Sequence, residues 1–304
     1  MVKIFQGIIS EPMISYHPDQ TIDFETTGKI FRNLALRGAG GLFVNGFGDE
    51  CYSLSLQERL DVAKCALDAV KGTKCLVIGV ALTTCLRDAL WLIPEYEKLG
   101  VHAISITPPP FYELTDEAMH RYLSSELAVT KLPVMVFNCR EMNELVSPRM
   151  LGRLAREFPN LKGYKDATRN PVHLTQCIDE LDGRMDDFCV ISGCDATFYM
   201  HLCLGATATV SFMSVPFFDQ MKAIYDRFMA GDREGSWQAQ RTVLKLRAFM
   251  QKYPDSAAYI YGMKYTAGID VRGTRHPQEM LDIPQEGKAA FDQLVKELGI
   301  SAAR

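Results

Sequence analysis

Short apolar runs rich in β-branched residues recur along the chain: "KIFQGIIS" from residue 3, "GGLFVNG" from 40, "KCLVIGVAL" from 74 and "VHAISIT" from 101. Four more follow, "LPVMVFN" from 132, "NLKGYKD" from 160, "FCVISG" from 188 and "ATATVSFM" from 206. Each is too short for a helix and nearly continuous in apolar character, the pattern of a strand buried on both faces of a parallel sheet. Between the runs the apolar positions change to helical spacing. Over residues 55–70, Leu60, Ala63, Ala66, Leu67 and Val70 share one stripe, and Ser55 with Glu58 three positions later forms a capping box. Further helical stretches are "LRDALWLIPEYEKLG", "TDEAMHRYLSSELAVT" and "SPRMLGRLAREFP".

Eight strands alternating with helices predict an α/β fold, a (β/α)8 TIM barrel. After "VSFMSVPFFD" no strand pattern recurs. Residues 1–229 are expected to form the barrel and residues 230–304 a C-terminal helical segment, with no low-complexity linker between them. The 304-residue length suits one barrel of about 250 residues plus an appendage.

Charge narrows the partners. The formal net charge is −4, and Lys and Arg are scattered rather than gathered in runs. The electrostatic footprint of a nucleic-acid or anionic-membrane binder is missing, so a small molecule is the expected ligand. The nine cysteines include no CxxC pair, and the opening "MVKIFQGIIS" lacks the cleavage pattern of a secretory signal. No uninterrupted apolar run approaches the roughly 20 residues of a spanning helix. These features predict a reduced, soluble, cytoplasmic protein.

Barrel chemistry sits at the C-terminal ends of the strands. That rule selects "NGFGDE" (45–50), "TPPPFY" (107–112), "FNCRE" (137–141), "YKDAT" (164–168) and "SGCD" (192–195). In "LKGYKDAT" a strand period of two places Leu161, Gly163 and Lys165 on one face and Lys162 and Tyr164 on the other. If the first face looks into the barrel, Gly163 leaves room for the lysine stem, and Lys165 is desolvated. Burial lowers an amine's pKa by as much as about 3–5 units and makes a nucleophile for Schiff-base chemistry. The bland alternative is a strand-end lysine snorkelling to solvent.

The stretch "GYKDAT", with "VMVFN" upstream, "GFGDE" after the second strand and "SGCDA" after the seventh, resembles the dihydrodipicolinate synthase/N-acetylneuraminate lyase family. These are Schiff-base-forming aldolases and hydro-lyases of 2-oxo acids. The resemblance runs over nearly the whole chain, with four motifs in matching order and spacing. It implies that Lys165 forms an imine with pyruvate or a related 2-oxo acid, without a cofactor or metal, in a homotetramer built from dimers. Gly193 of "SGCDA" and Val210 of the eighth strand complete the expected substrate contacts.

The site departs from the family pattern in several places. The family's proton-relaying tyrosine at the end of strand five is Phe137 here, so the usual acid–base hydroxyl is missing. The turn that holds the substrate carboxylate reads Gly46-Phe47-Gly48-Asp49-Glu50, without hydroxyl side chains, leaving backbone N–H groups for the task while Asp49 adds a negative charge. An arginine that takes a second carboxylate is replaced by Met142. Two readings of nearby Arg140 stand, a cation for a different acidic group or a salt-bridge partner of its loop. In "TPPPFYE" either Phe111 or Tyr112 meets the place of a further relay tyrosine, and Tyr112 is the leading surviving phenol, ahead of Tyr52 and Tyr164. These departures argue against the lysine-biosynthesis activity itself.

Other chemistry finds little support. The six histidines, at 17, 102, 120, 173, 201 and 276, lack HxH and HExxH spacing. His120 and His201 read as surface or packing residues, and Cys139 and Cys194 as buried structural thiols. "GAGGLF" (38–43) fails the dinucleotide fingerprint and precedes a strand. The expected protein is a lyase, aldolase or hydro-lyase, working through Lys165, with Phe47 and Phe137 giving a pocket less polar than a sugar-acid site. The competing expectations are a catalytically impaired barrel that binds 2-oxo acids or serves assembly, and a Lys165 that holds a carboxylate as a cation only.

Overall fold

All eight apolar runs form strands, and the strands close on themselves. The computed structural model describes residues 3–48, 50–139, 145–181, 183–253, 256–275 and 282–303. The strands are β1 (Gly7–Ser10), β2 (Gly41–Val44), β3 (Leu76–Val80), β4 (Ala103–Ile106), β5 (Val134–Cys139), β6 (Leu161–Ala167), β7 (Cys189–Ser192) and β8 (Ala208–Ser211). Each pairs in parallel with its neighbours in chain order, and β8 returns to β1. Eight helices alternate with them: α1 (Phe24–Leu36), α2 (Leu56–Ala69), α3 (Leu86–Leu99), α4 (Asp116–Ala128), α5 (Pro148–Glu157), α6 (Pro171–Glu180), α7 (Phe198–Cys203) and α8 (Phe218–Met229). Then come α9 (Arg233–Met250), α10 (Ala257–Ala267) and α11 (Gln285–Glu297).

Short polar side chains set where the helices begin. Ser55 and Glu58 form the full capping box on α2, while Thr115 and Ser147 cap α4 and α5. Asn170 caps α6 ahead of Pro171, whose missing N–H falls where no intrahelical bond would use it.

Alternation along the strands divides the core in two. Ile9, Phe43, Ile78, Met135, Phe137, Ile191 and Val210 fill the barrel, whereas Ile8, Leu42, Val77, Val136, Tyr164 and Val190 face the helices. Leu161 corrects the expectation of a strict period in β6. The β5–β6 register slips at Val134/Met135, so Leu161 joins the outer layer, while Gly163 and Lys165 stay on the inner side. Lys162, inside the slip, points to Asp187, 2.6 Å away. Gly163 has a different use from the one expected. A Cβ there would come within 3.0 Å of the Phe5 ring and of Ile191, so the missing side chain makes room for the plug of the barrel, not for the lysine stem.

The last helices return to the barrel mouth. Helix α9 packs along α8, and Phe291 of α11 meets Phe217 and Phe249 edge to face or tilted. Beyond α10, Arg275 reaches back over the Tyr16 ring and donates to the carbonyls of Gln20 and Ser53 and to Glu58. The tail thereby fastens the loops that follow β1 and β2.

Candidate active site

Lys165 is 2% exposed and lies opposite Phe137 in the β5–β6 register. Its Nζ stands 3.2 Å from the Phe137 ring centroid and 4.4 Å from that of Phe43. The two rings meet edge to face at 6.1 Å, so the amine rests on an aromatic floor whose negative faces attract a cation. On the far side Glu11 Oε2 lies 4.0 Å from Nζ. Glu11 sits two residues beyond inward-facing Ile9, so the strand period carries its carboxylate into the barrel mouth.

The glycine turn after β2 is shaped around that carboxylate. Gly48 N–H donates to Glu11 Oε1 at 3.0 Å. A Cβ on Gly46 would fall 2.6 Å from the same oxygen, and one on Gly48 would fall 2.9 Å from the Phe212 ring and the Pro12 carbonyl. The turn places an N–H as expected, but a carboxylate of the chain's own already accepts from it.

Lys165 opens into a cavity of about 330 Å³ lined by Glu11, Phe47, Phe137, Cys139 and Arg169. Gly193 and Cys194 of the loop after β7 form another part of the wall. Gly193 N–H donates to the Asp166 carbonyl at 2.7 Å, and a Cβ there would strike Ala167 at 2.8 Å, so glycine lets the two strand ends close together. Arg169 of this wall has a φ of 60°, and Asn45 and Phe111, on the loops after β2 and β4, have φ of 65° and 71°. A larger groove of about 560 Å³ runs between α1 and α2, past Phe24, Arg32 and Lys64, on the outer wall away from the strand ends.

Outside the barrel wall, polar groups hold β6 in place. Tyr164 OH receives Asn138 Nδ2 at 3.2 Å and lies 3.4 Å from Asp166 Oδ1 and from His173. His201 is fully buried, with Nδ1 2.8 Å from the Thr197 carbonyl and Nε2 3.4 Å from Asp166 Oδ2, which removes the surface reading. Burial pushes the Asp166 carboxyl up, but hydrogen bonds from His201 and Thr168 outweigh it and hold the group below its ordinary value. Asp195 behaves oppositely. Burial raises its carboxyl despite Ser211 and Arg247, and the charge of nearby Glu11 pushes the same way.

Lys165, Phe137, Phe47 and Gly193 thus share one cavity, with Gly46 and Gly48 behind Glu11. Val210 lies in the barrel core, 3% exposed. Tyr112 is 55% exposed on the loop after β4 and is not among the cavity's lining residues. Tyr52 meets Phe47 at 6.3 Å between ring centroids, and burial pushes its phenol up to about 12, further from proton exchange at neutral pH. Arg140, Met142 and Asp49 lie outside the described residues. Glu11 and Arg169 were missed. The strand-end rule, applied to "IISEP" after the first run, selects Glu11 directly. Arg169 lies one residue past "YKDAT" and had no such signal. Among the described residues, no three His, Cys, Asp or Glu side chains are placed to hold a metal ion. None of the described helices is long and apolar enough to cross a membrane.

The Dihydrodipicolinate synthetase family profile matches residues 4–298. The chain belongs to that family. It is 26% identical over 299 residues to the 4-hydroxy-tetrahydrodipicolinate synthase of Symbiobacterium thermophilum, covering 97% of this chain and 99% of that one. It is 27% identical over 209 residues to the putative 2-dehydro-3-deoxy-D-gluconate aldolase YagE of Escherichia coli K12, covering 68% and 69%. The crystal structure of YagE in complex with pyruvate superposes with a TM-score of 0.88 at 23% identity, over 97% of this chain and 99% of that one. The family's lyase fold, the closed barrel with its C-terminal helices, is therefore the fold of this protein.

Proposed function

We propose that this protein is a lyase that binds the carbonyl of pyruvate or a related 2-oxo acid as a Schiff base on Lys165. The imine would draw electrons from the adjacent carbon and stabilise the enamine formed in aldol cleavage, condensation or dehydration. One observation carries the reading: a buried lysine ends on an aromatic floor and lines a cavity at the strand-end position where barrels do chemistry. The pyruvate complex of YagE supports pyruvate as the first candidate. Among the described residues, Arg169 is a cation of the cavity wall toward which a substrate carboxylate would turn, since Gly48 N–H is engaged by Glu11. Phe47 and Phe137 favour an oxo acid with an apolar side chain. A cytoplasmic homo-oligomer, tetramer or dimer, belongs to the same reading, and sedimentation analysis tests the assembly.

The test is borohydride trapping with pyruvate, 2-oxobutanoate and phenylpyruvate, followed by peptide mass spectrometry. An adduct on Lys165, absent from Lys165→Arg, supports the proposal. Unlabelled Lys165 across the panel, with a family enzyme labelling in parallel, rejects it. A second reading is favoured by the Glu11 carboxylate itself, which fills the turn expected to take the substrate carboxylate and faces the lysine. In that reading the site is self-occupied and the barrel serves binding or assembly without catalysis. Saturable binding of an oxo acid with no covalent adduct is its signature.

A further inference from the structure

The family pattern leaves this chain without a hydroxyl at Phe137, yet imine formation requires a group that takes a proton from the lysine and returns one to the departing oxygen. We infer that Glu11 is that group, a catalytic carboxyl supplied by the first strand in place of a phenol from the fifth. The inference rests on the Schiff-base reading of Lys165.

Three observations carry it. Glu11 Oε2 stands 4.0 Å from Lys165 Nζ, too far for a direct hydrogen bond and close enough to reach an oxygen on a carbon bonded to that nitrogen. The other oxygen, Oε1, accepts from Gly48 N–H, which fixes the carboxyl plane while leaving Oε2 toward the lysine. Gly46 carries no Cβ where one would collide with Oε1, so the turn admits the carboxyl at this place. The rings of Phe43 and Phe137 also lie against the amine, and neither transfers a proton. Cys139, Arg169 and Cys194 also line the cavity, and Asp195, whose carboxyl feels the charge of Glu11, has Arg247 at 3.4 Å.

Starting from the ion pair, the two side chains close the 4.0 Å gap to hydrogen-bond reach as the substrate enters, and the Glu11 carboxylate takes a proton from the Lys165 ammonium. The freed nitrogen lone pair adds to the carbonyl carbon while the C=O π pair moves to oxygen, and one amine proton passes to that oxygen. Protonated Glu11 gives its proton to the resulting hydroxyl, which leaves as water as the nitrogen pair closes the C=N bond. The iminium keeps the single positive charge with which the ammonium began, and Glu11 ends as the carboxylate.

The experiment follows the rate of borohydride-trapped adduct on Lys165 with propanal, an uncharged carbonyl whose binding does not feel the Glu11 charge as a carboxylate would. Glu11→Gln, which keeps an acceptor for Gly48, is expected to slow labelling about 100-fold or more with the circular dichroism spectrum unchanged. Glu11→Ala is expected to slow it equally, and added formate to restore it in Glu11→Ala alone. Wild-type rates in Glu11→Gln overturn the inference and leave the Schiff base standing. Slow labelling of Glu11→Ala that formate does not restore, in a folded protein, also overturns it by assigning Glu11 a structural role. If Glu11→Ala does not fold, the Glu11→Gln rate decides alone. No labelling of wild type by propanal or by any oxo acid overturns both readings together.

Discussion

Phe137 lies face-on beneath Lys165, with the amine 3.2 Å from its ring centroid. The register of β5 against β6 makes this contact, because the two residues are direct partners across the ladder. Phe137 therefore gives the amine a cation-binding ring that carries no exchangeable proton. A cation held over an aromatic face gains about 0.5–2 kcal/mol, a factor of roughly 2 to 30. Phe137→Leu conserves most of the volume and should destabilise by less than about 1.5 kcal/mol. Trapping with propanal at fixed pH should accelerate by that 2- to 30-fold factor. A rate at or below wild type would show that the ring does not hold the charge.

Gly46 and Glu11 compete for one volume. The clash of a Gly46 Cβ with Oε1, at 2.6 Å, is with the end of a side chain, not with backbone. Gly46→Ala should destabilise the fold, and so should Glu11→Ala, which leaves Gly48 N–H without its acceptor. The double variant should lose less than the sum, by about 0.5–3 kcal/mol, because each change removes the partner of the other's penalty. Urea midpoints of the four proteins complete the cycle. Additive energies would mean that the carboxylate has another resting place.

Much of this was legible because a barrel strand buried on both faces leaves a strong apolar signature, and its C-terminal end marks where chemistry collects. All eight runs and the turn positions of Gly46 and Gly48 follow from that logic. What one sequence hides is pairing across the fold. Arg59 sits in the first turn of a predicted amphipathic helix, yet it is 4% exposed and donates to the carbonyls of Leu82 and Cys51 at 2.7 and 2.5 Å. Its neighbours Leu60 and Leu67, expected on the core stripe, are only half-buried, because the helix is rotated to bring Val62 and Arg59 inward. The β6 slip at Lys162 and the Phe5 plug over Gly163 likewise depend on partners far along the chain. Glu11 was readable as a strand-end acid, but its meeting with Gly48 and Lys165 required the closed barrel.

Glu126 of α4 is fully buried, and neither carboxyl oxygen has a hydrogen-bond partner among the described residues. Burial pushes its carboxyl well above the ordinary value. The folded chain therefore keeps a proton that the unfolded chain releases once the pH exceeds the usual carboxylate range, so stability falls as pH rises through that interval. Glu126→Gln does not titrate. Its stability advantage over wild type should be small near pH 5 and larger near pH 8, with a limiting slope of about 1.4 kcal/mol per pH unit. Thermal midpoints at the two pH values decide it, and an advantage that shrinks with rising pH would contradict the assignment.

Arg275 and Glu58 give the opposite pH sign. The guanidinium donates to Glu58 Oε1 at 2.8 Å, and this bond, against partial burial and together with the Ser55 cap, holds the Glu58 carboxyl down at about 2. A depressed carboxylate contributes stability that is complete above the unfolded value near 4.5 and is lost as pH falls toward 2. Glu58 is 31% exposed, so solvent screens part of the pair, and the carbonyls of Gln20 and Ser53 supply the rest of Arg275's hold on the tail. Arg275→Ala should destabilise by about 1–3 kcal/mol at pH 7 through the lost charge-assisted bonds. Part of that deficit should vanish between pH 4.5 and 2 as Glu58 protonates in wild type, whereas Arg275→Lys should recover some of it without restoring the fork of bonds to Gln20 and Ser53. Guanidinium unfolding across this pH range tests the sign, since a deficit that stays constant or grows on acidification would place the stabilisation in the carbonyl contacts instead.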